Sequence, residues 1–193
     1  MSEHPDHQPD RTDEDQQDHA RHERKMYLRF GAMILTSTVV MFVLTYSNVF
    51  AFAHIRFSEE RLYMALLMGS AMAIVMLTFM WGMYKNVKLN LAIYAGAFAL
   101  GLTAFGLSQS QAFVQDTAYM KGMIPHHSIA ILTSERAQIQ DMRVRLLADA
   151  IIEAQRKEID EMDWLVEDIA ENGPATTQAE ADARPIPDFE PSP

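Results

Sequence analysis

The chain has 193 residues, a formal net charge of −10 and no cysteine. That length allows one or two domains, the acidic balance argues against nucleic acid as a partner, and the missing thiols exclude disulfides, zinc fingers, iron–sulfur clusters and thiol nucleophiles. Apolar residues make up 49% of the sequence while mean hydropathy is −0.09, so very apolar stretches must stand beside very polar ones.

Residues 1–25 carry eight acidic and four basic side chains and cannot bury enough surface to fold, which predicts a disordered cytoplasmic tail. His4/His7 and His19/His22 repeat a three-residue spacing, readable as metal ligands or as ordinary polar residues of a solvated tail. An uncharged run of 24 residues follows, Phe30 to Ala53, long enough to span a bilayer. Ala51-Phe52-Ala53 resembles a signal-peptidase site, but the run is too long for a typical signal peptide and reads as an uncleaved anchor. A short polar connection over 54–61 leads to a second span, 62–84, and a basic turn over 85–88 leads to a third, 89–107.

Met64, Met68, Met72, Met76 and Met80 recur every four residues along the second span, with Met83 following. The strip is either flexible apolar filler or a thioether ladder for Cu(I). Gly96, Gly101 and Gly106 would let a neighbouring helix approach the third span closely. No ionisable residue lies inside any span, which argues against a proton relay or an ion-coupled transporter. Arg21, Arg24, Lys25 and Arg29 precede the first span and Lys85 and Lys88 separate the second from the third, against Arg56 and Arg61 in the other loop. That asymmetry predicts a cytoplasmic N-terminus in a bacterial plasma membrane, with everything after Leu107 extracytoplasmic.

The extracytoplasmic part, 111–173, reads as a helical hairpin. Its first helix starts near Asp116, a plausible cap, and runs to about Gln140, kinked or restarted at Pro125. Met120, Met123, His126 and His127 fall within eight residues of it, and spacings of three and four place Met120, Met123 and His127 on one face. Thioether and imidazole together suit copper, above all Cu(I); core-filling methionines and ordinary polar histidines are the other reading. The second helix runs from about Met142 to Glu171, capped by Asp141 and stopped by Asn172-Gly173-Pro174. Its apolar stripe is Leu147, Ile151, Ile159, Met162, Val166 and Ile169, with Gln155 on it and Glu158 beside it. Those two polar positions lie either at a wet edge or near a site.

A two-helix hairpin is too small to enclose a core, so a second copy is expected to complete a four-helix bundle between two chains. Residues 174–193, with five prolines and an acidic balance, predict a second disordered tail. The fold class is therefore all-α: three transmembrane helices and an extracytoplasmic hairpin, homodimeric.

The run DTAYMKGMIPHHSIAI, followed after a gap by LLADAIIEAQRKEIDEM, resembles the domain-of-unknown-function family 305 (DUF305) over roughly residues 116–162. The resemblance implies a bacterial, exported or membrane-tethered, ferritin-like helical domain, some members of which are implicated in periplasmic copper binding and resistance. The family pattern falls on Asp116, Met120, Met123, Pro125, His126, His127, Ala130, Gln155, Glu158 and Met162. It implies that Met120, Met123, His126, His127 and Met162 are copper-ligand candidates, with Asp116, Gln155 and Glu158 adjacent. Thr133 stands where many relatives carry a further methionine. The reading is a membrane-anchored copper-binding protein, for sequestration or handover to a copper-handling partner. The alternative is a structural module whose hairpin dimerises or recruits a partner. An enzyme is not expected, because no nucleophile motif, phosphate loop, metal-hydrolase signature or Glu-x-x-His motif is present.

Overall fold

A computed structural model describes residues 11–190, with side chains from residue 17, and helix is the only regular element in it. The order is α1 (Arg11–Leu44), a 3₁₀ turn (Phe52–His54), α2 (Glu59–Phe79), α3 (Val87–Ser110), α4 (Asp116–Arg136), α5 (Met142–Asn172) and α6 (Gln178–Ala183). Among the described residues, Gln17–Leu44 of α1, all of α2 and all of α3 are long and apolar enough to cross a membrane.

The expected tail requires correction over residues 11–25, because α1 already runs from Arg11; residues 1–10 lie outside the described residues. Glu, Gln, Arg, Lys and Ala dominate that stretch and are good helix formers, so a helix nucleated in the apolar run extends back through them. Most side chains over 17–25 are exposed, so propensity and not burial holds this part. His19 and His22 lie on it, exposed, while His4 and His7 lie outside the described residues.

The chain forms two compact units. One comprises residues up to Val39 together with Leu66–Leu102; the other comprises Val40–Ala65 and the residues from Thr103 onward.

In the first unit, Phe30, Leu77 and Tyr84 form a buried core, with Met76, Met80, Ile93 and Tyr94 packed against it. For Met76 and Met80 the filler reading of the methionine strip therefore holds. Asn90 is fully buried near the start of α3. Its Oδ1 accepts from Tyr27 Oη at 2.7 Å and its Nδ2 donates to Tyr84 O at 2.7 Å, so the amide is satisfied on both sides. Of the three glycines on α3, only Gly101 makes a close approach: a Cβ there would lie 3.3 Å from Ser70 Cβ, whereas at Gly96 and Gly106 it would meet nothing. The tightest crossing involves a different glycine. A Cβ on Gly69 would fall 2.5 Å from Thr38 Oγ1.

In the second unit, α4 packs on α5 and on the 3₁₀ turn. Ile124, Ile131 and Ile159 form the buried core, with Phe50, Ile152 and Met162 against it. The first apolar run thus does not form one helix to Ala53; α1 ends at Leu44. Thr45 Oγ1 donates to Phe42 O at 2.6 Å and Ser47 Oγ to Leu44 O at 2.7 Å, satisfying carbonyls that a longer helix would have used. Arg61 Nη1 then donates to Thr45 O at 2.7 Å and its guanidinium lies 4.5 Å from the Tyr46 ring centre. The released segment, 45–58, brings Phe50 onto the hairpin, so part of the cover expected from a second copy comes from within the chain.

Span three does not continue into the hairpin. Gln111 turns the chain with φ of 51°, a left-handed conformation that costs a non-glycine residue energy. Its side chain is held meanwhile by Glu60 Oε2 at 2.8 Å and Ser108 O at 2.6 Å. Gln115, not Asp116, occupies the cap position of α4, and Asp116 lies in the first turn, where a carboxylate suits the helix dipole. The helix passes through buried Pro125 as one element and ends at Arg136, short of Gln140.

At α5 both expected ends are found. Asp141 Oδ1 accepts from Arg143 N at 2.8 Å, and Gly173 stops the helix with φ of 76°. The second disordered tail is corrected by α6, which starts with a capping box between Thr177 and Glu180. Arg184 Nη1 pairs with Asp168 Oδ2 at 2.6 Å and Lys157 Nζ with Asp188 Oδ1 at 2.8 Å, drawing the tail onto α5.

Candidate functional site

Two faces of α4 carry the residues that chemistry singles out. The first is Met120, Ile124, His127, Ser128 and Ile131, spaced three, four and one apart, and every one of them is buried. His127 lies on this face between α4 and α5. Its Nδ1 donates to Met123 O at 2.9 Å and its Nε2 bonds Glu158 Oε2 at 2.7 Å, while Gln155 Nε2 donates to the same oxygen at 3.2 Å. Both ring nitrogens face oxygen atoms, so neither offers a lone pair to a metal unless one of those bonds opens. Of the two polar positions on and beside the α5 stripe that called for a partner, Glu158 finds it in His127 and Gln155 in Glu158.

The second face holds Tyr119, Gly122, Met123, His126 and Ile129. These residues line a cavity of about 310 Å³ whose other wall is Ser58, Glu59, Glu60 and Arg61 at the start of α2. His126 is exposed and Met123 half-buried. Three residues apart, the two side chains lie on neighbouring positions of α4, and the start of α2 opposite them closes the shared cavity. Gly122 lets the start of α2 come close, since a Cβ there would lie 3.3 Å from Ser58 Oγ. The Glu60 carboxylate at this wall accepts from Ser108 Oγ at 2.6 Å.

The sequence grouping of Met120, Met123 and His127 is therefore redrawn. Met123 pairs with His126 at the cavity. Met120 is buried, at 6% exposure, on the face that carries His127. Met162 packs against Ile124, Ile131 and Ile159 in the hairpin core. The His126 and His127 rings are 6.0 Å apart at 67°, pointing to different surroundings. Asp116 is exposed at the start of α4 and does not line the cavity. Among the described residues no three His, Asp or Glu side chains gather into a group that could hold a metal ion.

Sequence reasoning missed a second polar cluster. Ser128 Oγ accepts from Phe50 N at 2.7 Å and lies 2.9 Å from His54 Nδ1. Arg56 Nη2 pairs with Asp163 Oδ1 at 3.2 Å beside it. Burial pushes the His54 imidazole below its usual range, with Asp163 acting weakly in the opposite sense. Ser128 was findable: a serine in register with Met120, Ile124 and Ile131 is a polar group on an apolar stripe, and it needs a partner.

Residues 116–188 match the family described as "Domain of unknown function (DUF305)". The match reaches well past residue 162, through α6 to Asp188, the partner of Lys157. The chain is also similar to "Uncharacterized protein L153" of Acanthamoeba polyphaga mimivirus, 33% identical over 145 residues, covering 72% of this chain and 93% of that protein. No solved structure matches.

Proposed function

The chain belongs to the DUF305 family, and from that premise we propose that it is a membrane-anchored, extracytoplasmic metal-binding protein. Its cargo is copper, Cu(I) ahead of Cu(II), taken up for sequestration or for handover to a partner protein. The hairpin lies on the outer side of a bacterial plasma membrane and the N-terminus is cytoplasmic. The observation that carries this reading is the one cavity lined by both Met123 and His126. A thioether and an imidazole are the donors a soft cation selects, and two of them suit the low coordination numbers Cu(I) accepts. Glu59 and Glu60 on the facing wall add negative charge. Met120, His127 and Met162 drop out of the proposed ligand set, because the first and last are packed as apolar filler and His127 is bound to Glu158.

Cu(I) titration of the full chain in detergent, against a competing chelator, tests this. Met123→Leu and His126→Phe should each weaken binding by about tenfold or more, the scale of losing a metal-site residue. Met162→Leu should leave it unchanged. Equal affinity in wild type and the Met123→Leu, His126→Phe double variant would refute the reading.

A second reading rests on a separate observation. Met142, Val144, Leu146 and Leu147, on the first two turns of α5, are 70%, 48%, 66% and 62% exposed. Four large apolar side chains within six residues make a surface for a second copy, which favours an interaction module. Sedimentation of the full chain with and without copper separates the two, since the module self-associates regardless of metal and loses self-association in Leu146→Asp.

A further inference from the structure

We propose that the groove formed by α1, α2 and α3 within the first unit binds one anionic phospholipid, its acyl chain lying along the helices and its phosphate at Arg24. The groove measures about 700 Å³, within the range of sites built for small ligands (roughly 300–1,000 Å³). Its floor is almost wholly apolar, with Leu28, Ile34 and Leu35 of α1, Leu66 of α2, and Ile93 and Leu100 of α3. Its mouth is polar, with Glu23, Arg24, Tyr27 and Asn86.

Three observations select the occupant. The first is depth. The apolar lining of α1 runs from Leu28 to Thr38, which at the helical rise is about 15 Å. A bilayer's hydrocarbon core is roughly 30 Å thick, so the groove is as deep as one leaflet. The second is charge. Arg21, Arg24, Lys25 and Arg29 on α1, Lys85 in the turn before α3 and Lys88 in the first turn of α3 are all exposed at the end of this unit where the groove opens, against Asp18 and Glu23 of opposite sign. A second copy of this chain, related by an axis along the membrane normal, would bring the same cations to the same level and be repelled. A phosphate headgroup would be attracted, by about fivefold in affinity per basic residue. The third is real space. Gly31 lines the groove, and a Cβ added there meets nothing within 4 Å. The inference rests on these helices lying in a membrane and is independent of the copper reading.

The test uses the full chain reconstituted in nanodiscs of phosphatidylcholine with phosphatidylglycerol, then released into mild detergent and weighed by native mass spectrometry. One retained phosphatidylglycerol per chain is expected. Arg24→Gln should cut the preference for phosphatidylglycerol over phosphatidylcholine about fivefold while some lipid stays bound. Gly31→Phe, whose Cβ meets nothing within 4 Å and whose ring would occupy groove volume, should abolish retention of both lipids. Unchanged retention in both variants overturns the inference, as does a lipid-free dimer in place of a lipid-bound chain. A chain that never enters the disc overturns the membrane reading and this inference together; one that enters and retains nothing overturns this inference alone.

Discussion

His127 and His126 are neighbours with opposite employment. His127 is bonded at both ring nitrogens and ties α4 to α5, so its loss should be felt in stability before anything else. His127→Ala removes the bond from α4 to half-exposed Glu158 on α5, which keeps Gln155, and is expected to lower the unfolding free energy by about 0.5–1.5 kcal/mol. Thermal unfolding of the full chain in detergent checks it, and a result indistinguishable from His126→Ala would remove the distinction. His54 supplies a pH dependence. Its folded pKa lies below the unfolded value because burial disfavours the charged ring. The unfolded state then binds more protons in the interval between the two values, so stability is complete above about pH 6.5 and falls as pH drops toward the folded value. Asp163, Asp160, Arg56 and Arg156 surround that ring. The protection factor of the Phe50 amide, which donates to Ser128, taken relative to the intrinsic exchange rate at each pH, should fall from pH 7 to pH 5.5 in wild type and fall less in His54→Gln.

At the scale of elements, local chemistry was legible and long-range packing was not. Asp141 and Gly173 bound α5 as expected because caps and stops depend on a few adjacent residues. Likewise, an uncharged run announces a span wherever it lies. The segment 45–53 defeated that reasoning: it is as apolar as what precedes it, and only contact with Ile124, Ile131 and Ile159 draws Phe50 away from a longer helix. Nor could the sequence show that Met162, a ligand candidate by the family resemblance, packs against isoleucines of the hairpin core. Met123 and His126 share a cavity because of what the start of α2 brings opposite them, a placement 60 residues away in sequence that spacing on α4 cannot reveal. Two substitutions test these contacts. Phe50→Ala should cost about 1.5–3 kcal/mol, the burden of withdrawing a large apolar side chain from a core, and should expose the hairpin to limited proteolysis. Gly69→Val should part α1 from α2, because even its Cβ would overlap Thr38 Oγ1 at 2.5 Å, and Thr38→Ala should restore part of the lost thermal stability by removing that oxygen.

For the whole molecule, orientation rests on where the cations are free and where they are spent. Arg56 is paired with Asp163, and Arg61, in the first turn of α2, is bonded to Thr45 O and stacked on Tyr46, so both basic residues at this end are held in local contacts. Arg21, Arg24, Lys25 and Arg29, with Lys85 and Lys88 at the far ends of α2 and α3, remain exposed. Six basic residues stand against Arg56 and Arg61, so by the positive-inside count three crossings are expected to carry the hairpin to the outer side, as proposed. Because the chain has no cysteine, one introduced thiol reports its own side of the membrane without background. Asp18→Cys, Asn48→Cys, Gly82→Cys and Ala175→Cys place that thiol at exposed positions on the polar start of α1, between α1 and α2, between α2 and α3, and after α5. With a membrane-impermeant maleimide on intact bacterial cells, the thiols at 48 and 175 should react, and those at 18 and 82 only after lysis. The inverse pattern would reverse the orientation and put the Met123/His126 cavity in the reducing cytoplasm. Labelling of 18 and 175 from the same side would mean an even number of crossings, so that one of the three apolar helices lies outside the bilayer and the hairpin loses the place from which it would meet exported copper.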